Sequence, residues 1–382
     1  MHTINRLFII VISLVLLVLT CALPSCAVGS DGAENLLPIS RNGLFGFVNM
    51  DGEVVIPCQW TYATPFENGL ARVIDGENRL GYIDTNGQIV IPCLWASGDV
   101  FIDGLAPVTD ENGNLGMINL AGETVIPCEW KENGYYSDTP YFCEGMMAVK
   151  NSENLWGYIN TEGTLVIPCQ WGNASPFSYG LGMVHNEEGY YGFINTEGQL
   201  VIPCQWSDAV YFIEGLAMVC DQNFNYGFID PKGEVVIPCQ WDQAMPFSEG
   251  VAAVAESPER WGAINTSGEL ITPCEWLYVD SFSEGLSAVR NQEEQYGFID
   301  QQGQQAIPCE WLYAGSFCEG LAFVCNQDKL YGYINPQGEV IIPCGWERAE
   351  PFHNGVAQVM KDGIWYYINT AGEIITAVDV NQ

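Results

Sequence analysis

Positive charge is scarce in this sequence: 12 Lys and Arg residues stand against 47 Asp and Glu residues, for a formal net charge of −35. Binding to phosphate groups requires a basic surface, so this balance excludes a nucleic-acid partner and an anionic membrane surface. The surplus of carboxylates keeps a long apolar chain soluble. Attraction of cations or of a basic partner is the alternative consequence.

Metal-binding and catalytic patterns are also missing. The only histidines are His2, His185 and His353, and the 15 cysteines form no C-x-x-C motif, so we predict no metal and no cofactor. The turns lack the D-x-[DN]-x-[DN]-G ligand series of a calcium loop. The two later histidines are isolated and the carboxylates recur at turn positions, which offers no convergent nucleophile, base and acid. The sequence therefore predicts that the protein is not an enzyme.

One long apolar run occurs, near the N-terminus. It extends from Leu7 to Leu19 after Arg6, which suits a signal peptide and falls short of the ~20 residues of a spanning helix. We predict a signal peptide over residues 1–27 and a linker over 28–35. Cleavage before Val28, lipidation of Cys26 and an uncleaved anchor are the alternatives. Each of them places the rest of the chain outside the cytoplasmic membrane, secreted or anchored at the cell surface.

The remaining chain is dominated by a repeated Pro-Cys-x-Trp phrase. Its cysteines are separated by 35 residues, with a single interval of 41. They are Cys58, Cys93, Cys128, Cys169, Cys204, Cys239, Cys274, Cys309 and Cys344. A fixed period in this range indicates a repeat architecture in which each unit packs on its neighbours. We predict ten units over residues 36–382, starting near 36, 70, 105, 146, 181, 216, 251, 286, 321 and 356.

Each unit contains four short segments rich in β-branched and aromatic residues, which favours strands. One unit has these segments at Gly215–Val219, Tyr226–Ile229, Glu234–Pro238 and Trp241–Phe247. The predicted fold is all-β: a tandem array of ten ~35-residue antiparallel β-meander repeats in an open superhelical, solenoid-like stack. A β-propeller is the alternative. Ten units exceed the usual 4–8 blades, and neither end resembles half of a split sheet.

Turn and strand glycines make the prediction more specific. An Asx residue three positions before a Gly, as in Asp230 and Gly233, predicts a hairpin. A Gly inside the second strand, as at Gly227, indicates close backbone approach, which we expect from a Trp of the neighbouring unit. The Pro before each repeat Cys cannot donate to a ladder, so the third strand should end there or run at an edge. The regular Trp and Phe residues should form the core.

The cysteines allow two interpretations, because an exported chain can form disulfides. The nine repeat cysteines are expected to be buried small hydrophobic residues. Cys318 and Cys325 flank the turn at Gly320 and are the best disulfide candidates.

Aromatic residues outside the regular pattern are candidate ligand contacts. Six extra residues lie between Trp130 and Phe142, and insertions in repeat proteins often map to the binding face. The candidate ligand-binding residues are Tyr135, Tyr136, Tyr141, Trp365 and Tyr367.

The phrase Trp-Gly-Tyr-Ile-Asn at 156–160, followed by Gly163, Ile167-Pro168 and Phe177-x-x-Gly180, resembles the bacterial WG repeat family. The resemblance implies an exported or surface-associated β-repeat protein with a binding role. The segment from Trp365 to Asn369 with Gly372 also resembles a choline-binding cell-wall hairpin repeat. The favoured hypothesis is a non-catalytic scaffold for protein–protein interaction, and the alternative is a cell-wall or glycan-binding module.

Overall fold

The computed structural model describes residues 36–131 and 140–380, which form strands and turns. No helix long and apolar enough to cross a bilayer occurs among them. Their contacts divide them into two compact units. The first contains residues 36–131, 140–240, 364–367 and 374–380, and the second contains residues 241–363 and 368–373.

The strands of the first unit follow one another at short intervals. They are β1 (Leu37–Arg41), β2 (Leu44–Val48), β3 (Val54–Trp60), β4 (Tyr62–Ala63), β5 (Leu70–Ile74), β6 (Leu80–Asp84), β7 (Ile89–Trp95), β8 (Ser97–Gly98), β9 (Leu105–Thr109), β10 (Asn114–Asn119), β11 (Thr124–Lys131), β12 (Met146–Lys150), β13 (Trp156–Asn160), β14 (Leu165–Trp171), β15 (Asn173–Ser178), β16 (Leu181–His185), β17 (Tyr191–Asn195), β18 (Leu200–Trp206), β19 (Asp208–Ala209), β20 (Ala217–Cys220), β21 (Tyr226–Ile229) and β22 (Val235–Trp241), the last of which ends at the unit boundary.

The second unit continues the same series. Its strands are β23 (Gln243–Ala244), β24 (Val251–Ser257), β25 (Arg260–Asn265), β26 (Leu270–Trp276), β27 (Tyr278–Val279), β28 (Leu286–Arg290), β29 (Tyr296–Asp300), β30 (Gln305–Trp311), β31 (Tyr313–Ala314), β32 (Ala322–Cys325), β33 (Tyr331–Ile334), β34 (Val340–Trp346), β35 (Arg348–Ala349) and β36 (Val356–Lys361). The final strands are β37 (Ile364–Asn369), whose residues divide between the units, and β38 (Ile374–Ala377) and β39 (Asp379–Val380) of the first.

Most sheets have four antiparallel strands in chain order, such as β4-β5-β6-β7 in the first unit and β27-β28-β29-β30 in the second. The short strand after each Trp opens the next sheet, rather than closing the sheet whose last strand it follows. Where the last strand of such a sheet contains the Pro-Cys-x-Trp phrase, it continues through the Pro to the Trp and lies at the sheet edge. This confirms the predicted edge position of the proline-containing strand.

The glycine inside the strand beside the edge strand permits a bulge. Between β33 and β34 the register shifts on either side of Tyr333, directly after Gly332. A Cβ on Gly332 would lie 2.5 Å from the Ile342 carbonyl oxygen and 2.7 Å from the Cys344 nitrogen. Close approach is therefore confirmed, but the expected partner was wrong. The adjacent strand of the same sheet, not a neighbouring Trp, crosses the glycine.

The core lies between successive sheets. Rings on the strand beside each edge strand pack on the Phe that follows the first strand of the next sheet: Phe298 and Phe317 have centroids 4.9 Å apart, and Phe47 and Phe66 are 4.7 Å apart. One buried cluster joins Phe298 and Trp311 to Val324, which lies on β32 of the next sheet. Burying each large side chain stabilises the fold by roughly 1.5–3 kcal/mol. These shared clusters confirm the all-β tandem array.

The first sheet contains a strand from the far end of the chain. Its order is β3-β2-β1-β39, and β39 pairs in parallel with β1. The Ser40 amide donates to the Val378 carbonyl at 2.7 Å, and the Gly52 turn approaches the Ile375 carbonyl. The expectation that neither end would complete a split sheet was therefore wrong. The final segment lacks Pro-Cys-x-Trp, so the sequence pattern did not reveal this strand.

The repeat with the six extra residues departs from the four-stranded pattern. β11 extends to Lys131, which pairs with Lys150 of β12, so that β8 to β14 form one seven-stranded sheet. Most of the insertion, residues 132–139, lies outside the described residues.

Candidate functional site

The predicted ligand contacts occupy different environments. Tyr135, Tyr136 and Cys26 lie outside the described residues. Tyr141 is half-buried before β12, and Trp365 is half-buried on β37. Tyr367 is only 5% exposed, which leaves its ring packed inside the protein.

The histidines and the proposed disulfide also differ from expectation. His353 is not isolated, because its Nδ1 lies 3.8 Å from Sγ of Cys318, one repeat earlier. His185 contacts the Asn186 carbonyl through Nδ1 at 2.9 Å. Cys325 has a free thiol that donates to the Asn326 carbonyl at 3.7 Å, so the suggested bond between Cys318 and Cys325 is not formed.

The repeat cysteines are less buried than the sequence predicted. Cys274 is buried and the other eight are half-buried. Burial raises the pKa of all nine thiols, as it does for Cys169 and Cys309. A raised pKa keeps a thiol protonated and poorly nucleophilic. Within residues 36–131 and 140–380, no group of three or more His, Cys, Asp or Glu side chains is arranged to hold a metal ion.

The sheet edges present exposed aliphatic side chains. Two consecutive residues before the Ile-Pro of the edge strand face solvent, as in Val235 (52% exposed) and Val236 (42%). Equivalent pairs that are exposed on both residues are Val54 and Val55, Ile89 and Val90, Leu165 and Val166, Leu200 and Val201, and Val340 and Ile341. Gln305 and Ala306 interrupt the series on β30. We call these residues the edge-strand aliphatic pairs.

A second feature breaks the repeat symmetry within the second unit. We define the Asp280 cluster as Tyr278, Asp280, Tyr296, Tyr313 and Ser316. Asp280 Oδ1 accepts hydrogen bonds from the Ser281 amide at 2.8 Å and the Tyr278 hydroxyl at 3.2 Å. Its Oδ2 accepts the Ser316 hydroxyl at 3.1 Å.

The Asp280 cluster combines a buried carboxyl group with several tyrosine rings. The Tyr296 and Tyr313 ring centroids are 5.3 Å apart, and Tyr313 stacks on Phe323 at 5.9 Å. Burial raises the pKa of Asp280 and, with the nearby Asp280 charge, that of Tyr278. Tyr313 is nevertheless 44% exposed, so solvent reaches one side of the cluster. The arrangement can bind and orient a ligand, because it combines ring surfaces with a desolvated acceptor.

A related but differently satisfied site exists in the first unit. Asp99 Oδ1 forms an ion pair with Arg72 Nη1 at 2.6 Å, and the same Nη1 donates to the Gly98 carbonyl at 3.0 Å. The Tyr82 hydroxyl donates to the Asp99 carbonyl at 2.7 Å. Burial raises the pKa of neighbouring Glu67, and the Arg72 charge partly offsets this effect.

Sequence reasoning missed both carboxyl sites. Asp99 and Asp280 each follow their repeat Trp by four residues, where other repeats have Thr64, Ser175 or Val210. Such a departure from the repeat consensus is the signal that could have identified them.

This fold and these sites define an all-β repeat protein with surfaces suited to binding. A family model described as WG containing repeat matches eight segments, at residues 45–78, 81–114, 156–190, 191–223, 226–256, 261–293, 296–329 and 331–365. These segments cover more than half of the chain, which therefore belongs to the WG containing repeat family. Eight matched segments are fewer than the ten predicted units, and the stretch containing the insertion is not matched.

Solved structures are similar to this chain at low sequence identity. A crystal structure titled as the eukaryotic initiation factor has a TM-score of 0.52 at 10% identity, covering 80% of this chain and 94% of that one. The computationally designed Ika8 protein has a TM-score of 0.36 at 10% identity, covering 81% and 96%. BamB from Moraxella catarrhalis has a TM-score of 0.38 at 9% identity, covering 73% and 92%.

No curated protein sequence matches this chain. The family and the repeat structure together indicate a scaffold or interaction module.

Proposed function

We propose that the protein is a non-catalytic, exported or surface-anchored scaffold whose repeats bind another protein. The edge-strand aliphatic pairs carry this proposal. A sheet edge is normally protected by charge, bulges or covering chain, because it is a template for association. Repeated aliphatic pairs on such edges, for example Leu200 (47% exposed) and Val201 (44%), are apolar surface that a partner can cover.

Export is supported by the apolar run from Leu7 to Leu19, which lies outside the described residues. The net charge favours a basic partner, since the chain contains 47 acidic residues and only 12 basic ones. Complementary charge speeds association and rejects acidic competitors, while buried apolar contacts supply much of the affinity.

A capture experiment with two variants tests this function. In the edge variant, Leu165, Val166, Leu200, Val201, Val235 and Val236 are each replaced by Thr, whose β-branched side chain suits a strand and adds a hydroxyl. In the matched control, Glu162 and Glu197, exposed in the turns that precede two of these strands, are replaced by Gln. Each protein is immobilised and exposed to cell-surface extract at physiological salt.

We expect the wild type and the control variant to retain the same proteins and the edge variant to lose them. Circular dichroism and thermal unfolding should show that the edge variant remains folded. If no protein is retained by any form, or if the folded edge variant retains the same set, the proposal is wrong.

Glycan binding is the other hypothesis from the sequence. Two of its candidate residues, Tyr135 and Tyr136, lie outside the described residues, and Tyr367 is buried. Glycan binding stays a prediction, which a glycan array would test directly.

A further inference from the structure

Asp99 and Asp280 provide two versions of the same local geometry. Each lies four residues after a repeat Trp, and each accepts the amide of the following residue through Oδ1 at 2.8 Å: Val100 for Asp99 and Ser281 for Asp280. The backbone therefore holds the two carboxylates in the same way. What differs is the chemistry that surrounds them.

Asp99 has a cation and Asp280 does not. Arg72 supplies the counter-charge to Asp99 from the central strand position of the preceding repeat segment. Ala253 occupies that repeat position ahead of Asp280. In the described part of the chain, no Lys or Arg forms an ion pair with Asp280, whose partners are the hydroxyls of Tyr278 and Ser316 and one amide. A desolvated carboxylate without a counter-charge is costly, and an external cation would relieve that cost.

Within the Asp280 cluster, one tyrosine ring already contacts a guanidinium group of this chain. The Arg290 guanidinium lies over the Tyr296 ring, with Cζ 5.8 Å from the centroid. Arg290 lies between Tyr278 and Tyr296 in the sheet, opposite both in register. Its Nη2 donates to Glu294 Oε2 at 2.8 Å, so the ion pair of this guanidinium is with Glu294. A tyrosine of this cluster thus already accepts a guanidinium on its face.

An additional acceptor position remains at the carboxylate. An ionised carboxylate has about four lone-pair sites, and Oδ2 of Asp280 accepts the Ser316 hydroxyl. The rings of Tyr296 and Tyr313 stand at an interplanar angle of 53°, and Tyr313 is 44% exposed. A flat cation could therefore contact a ring while it donates to Oδ2. A guanidinium suits this better than an ammonium, because it is planar, weakly hydrated and able to stack.

We propose that the Asp280 cluster binds the guanidinium group of an arginine side chain presented by a protein partner. The inference depends on the proposed function only in naming a protein as the carrier of the arginine. The guanidinium donates to Asp280 Oδ2 and packs on Tyr313. It supplies the counter-charge to Asp280 that Arg72 supplies to Asp99.

The probe that tests the site is Nα-acetyl-arginine amide, with Nα-acetyl-citrulline amide as the neutral compound of nearly the same shape. Titration into the full protein at low ionic strength is followed through tyrosine ring signals by NMR. We expect saturable binding of the arginine compound and at least about tenfold weaker binding of the citrulline compound, because only the former carries charge.

Matched variants locate the site. Asp280→Asn should abolish the saturable response, whereas Asp99→Asn, which alters the carboxylate already paired with Arg72, should retain it. Tyr313→Ala should weaken binding several-fold, since it removes a partly exposed ring and leaves the carboxylate in place. Near-UV circular dichroism checks that each variant is folded.

Equal binding of the two probes, or undiminished binding to folded Asp280→Asn, would overturn the inference. These outcomes are independent of the capture experiment. Loss of protein capture with retained arginine binding would reject the scaffold function and leave the guanidinium site intact, and the reverse result would reject the site alone.

Discussion

At the scale of single residues, Gly332 shows how strictly the strand packing limits side-chain size. Backbone atoms of Ile342 and Cys344, on the adjacent strand, lie too close to Gly332 to leave room for a Cβ. The sequence predicted that something approaches this glycine but could not identify the partner. A bulge between two strands of one sheet and a ring from the next repeat both require a Gly at this position. The sequence therefore does not distinguish the two arrangements.

Gly332→Ala should therefore destabilise the protein by roughly 1–3 kcal/mol, because a methyl group must displace backbone rather than a mobile side chain. Gly345→Ala is the control in the same repeat, since the nearest atom to its Cβ would be the Pro343 carbonyl oxygen at 3.9 Å. Urea unfolding of the two variants measures the difference. Equal midpoints would show that the close approach at Gly332 is relieved at no cost.

The Asp280 cluster also belongs to this scale, and the sequence did not predict it. Its members come from positions 278, 280, 296, 313 and 316, which no local motif connects. Contact between Asp280 and Ser316 arises because adjacent positions of successive repeats, 36 residues apart in sequence, lie next to each other in space. The distance between successive sheets brings these groups within hydrogen-bond distance. The sequence indicates that the sheets repeat but does not give that distance.

At the scale of elements, the hairpins were the most predictable feature, because an Asx turn depends on residues close in sequence. Asp230 Oδ1 accepts the amides of Lys232 and Glu234, both at 2.9 Å. A second set of Asx turns, between the second and third strands of a sheet, was not predicted. Asp221 Oδ1 in that set accepts the amides of Asn223 at 2.8 Å and Asn225 at 3.0 Å.

The second set makes stability depend on pH. Backbone hydrogen bonds, chiefly from the amide four residues on, lower the pKa of Asp75, Asp110 and Asp221. A carboxylate with a lowered folded-state pKa contributes stability above its unfolded pKa, and the contribution disappears as pH falls through the folded value. Wild-type stability should therefore decline below about pH 4.

Replacing all three aspartates with Asn should flatten that decline, because Asn keeps an acceptor oxygen and does not titrate. Asn151 and Asn186 already occupy this position in other repeats. Urea midpoints measured between neutral and acidic pH provide the comparison. Parallel curves for wild type and variant would show that these turns do not contribute to acid sensitivity.

Adjacent turns are also connected by glutamates in an unusual backbone conformation. Glu319 has φ 54°, yet its carboxylate accepts the amide of Gly355 at 2.8 Å, one repeat later. Glu284 bonds the Gly320 amide at 2.9 Å in the same way. The left-handed conformation, which disfavours Glu, is thus compensated by a bond to the next repeat.

Glu319→Asn tests this compensation, because Asn tolerates positive φ and is too short to reach the next turn. We expect a loss of roughly 0.5–1.5 kcal/mol and faster hydrogen exchange at the amides of Asn354 and Gly355. Lys329→Asn is the control, since Lys329 has φ 62° on another exposed hairpin. Unchanged exchange at Gly355 would contradict the proposed connection.

At the scale of the whole molecule, the period predicted a repeat array with shared cores, and the structure confirms it. The chain's ends were less predictable. Asp379 and Val380 form a strand with β1 although no Pro-Cys-x-Trp phrase precedes them. A strand of two residues is too short to show the apolar–polar alternation by which strands are recognised in a sequence.

This pairing gives β39 a role that truncation can isolate. A chain ending at Ala377 retains β38 but lacks Val378, whose carbonyl accepts the Ser40 amide. Losing these contacts should lower stability by roughly 1–3 kcal/mol and expose the edge of β1. The Ser40 amide should then exchange faster, and the truncated protein should associate at high concentration, as detected by size-exclusion chromatography.

A chain ending at Val380 keeps the paired residues and should match the full chain. If both truncations retain Ser40 protection, β1 is held by β2 alone, and the strand contributed by the far end of the chain is dispensable.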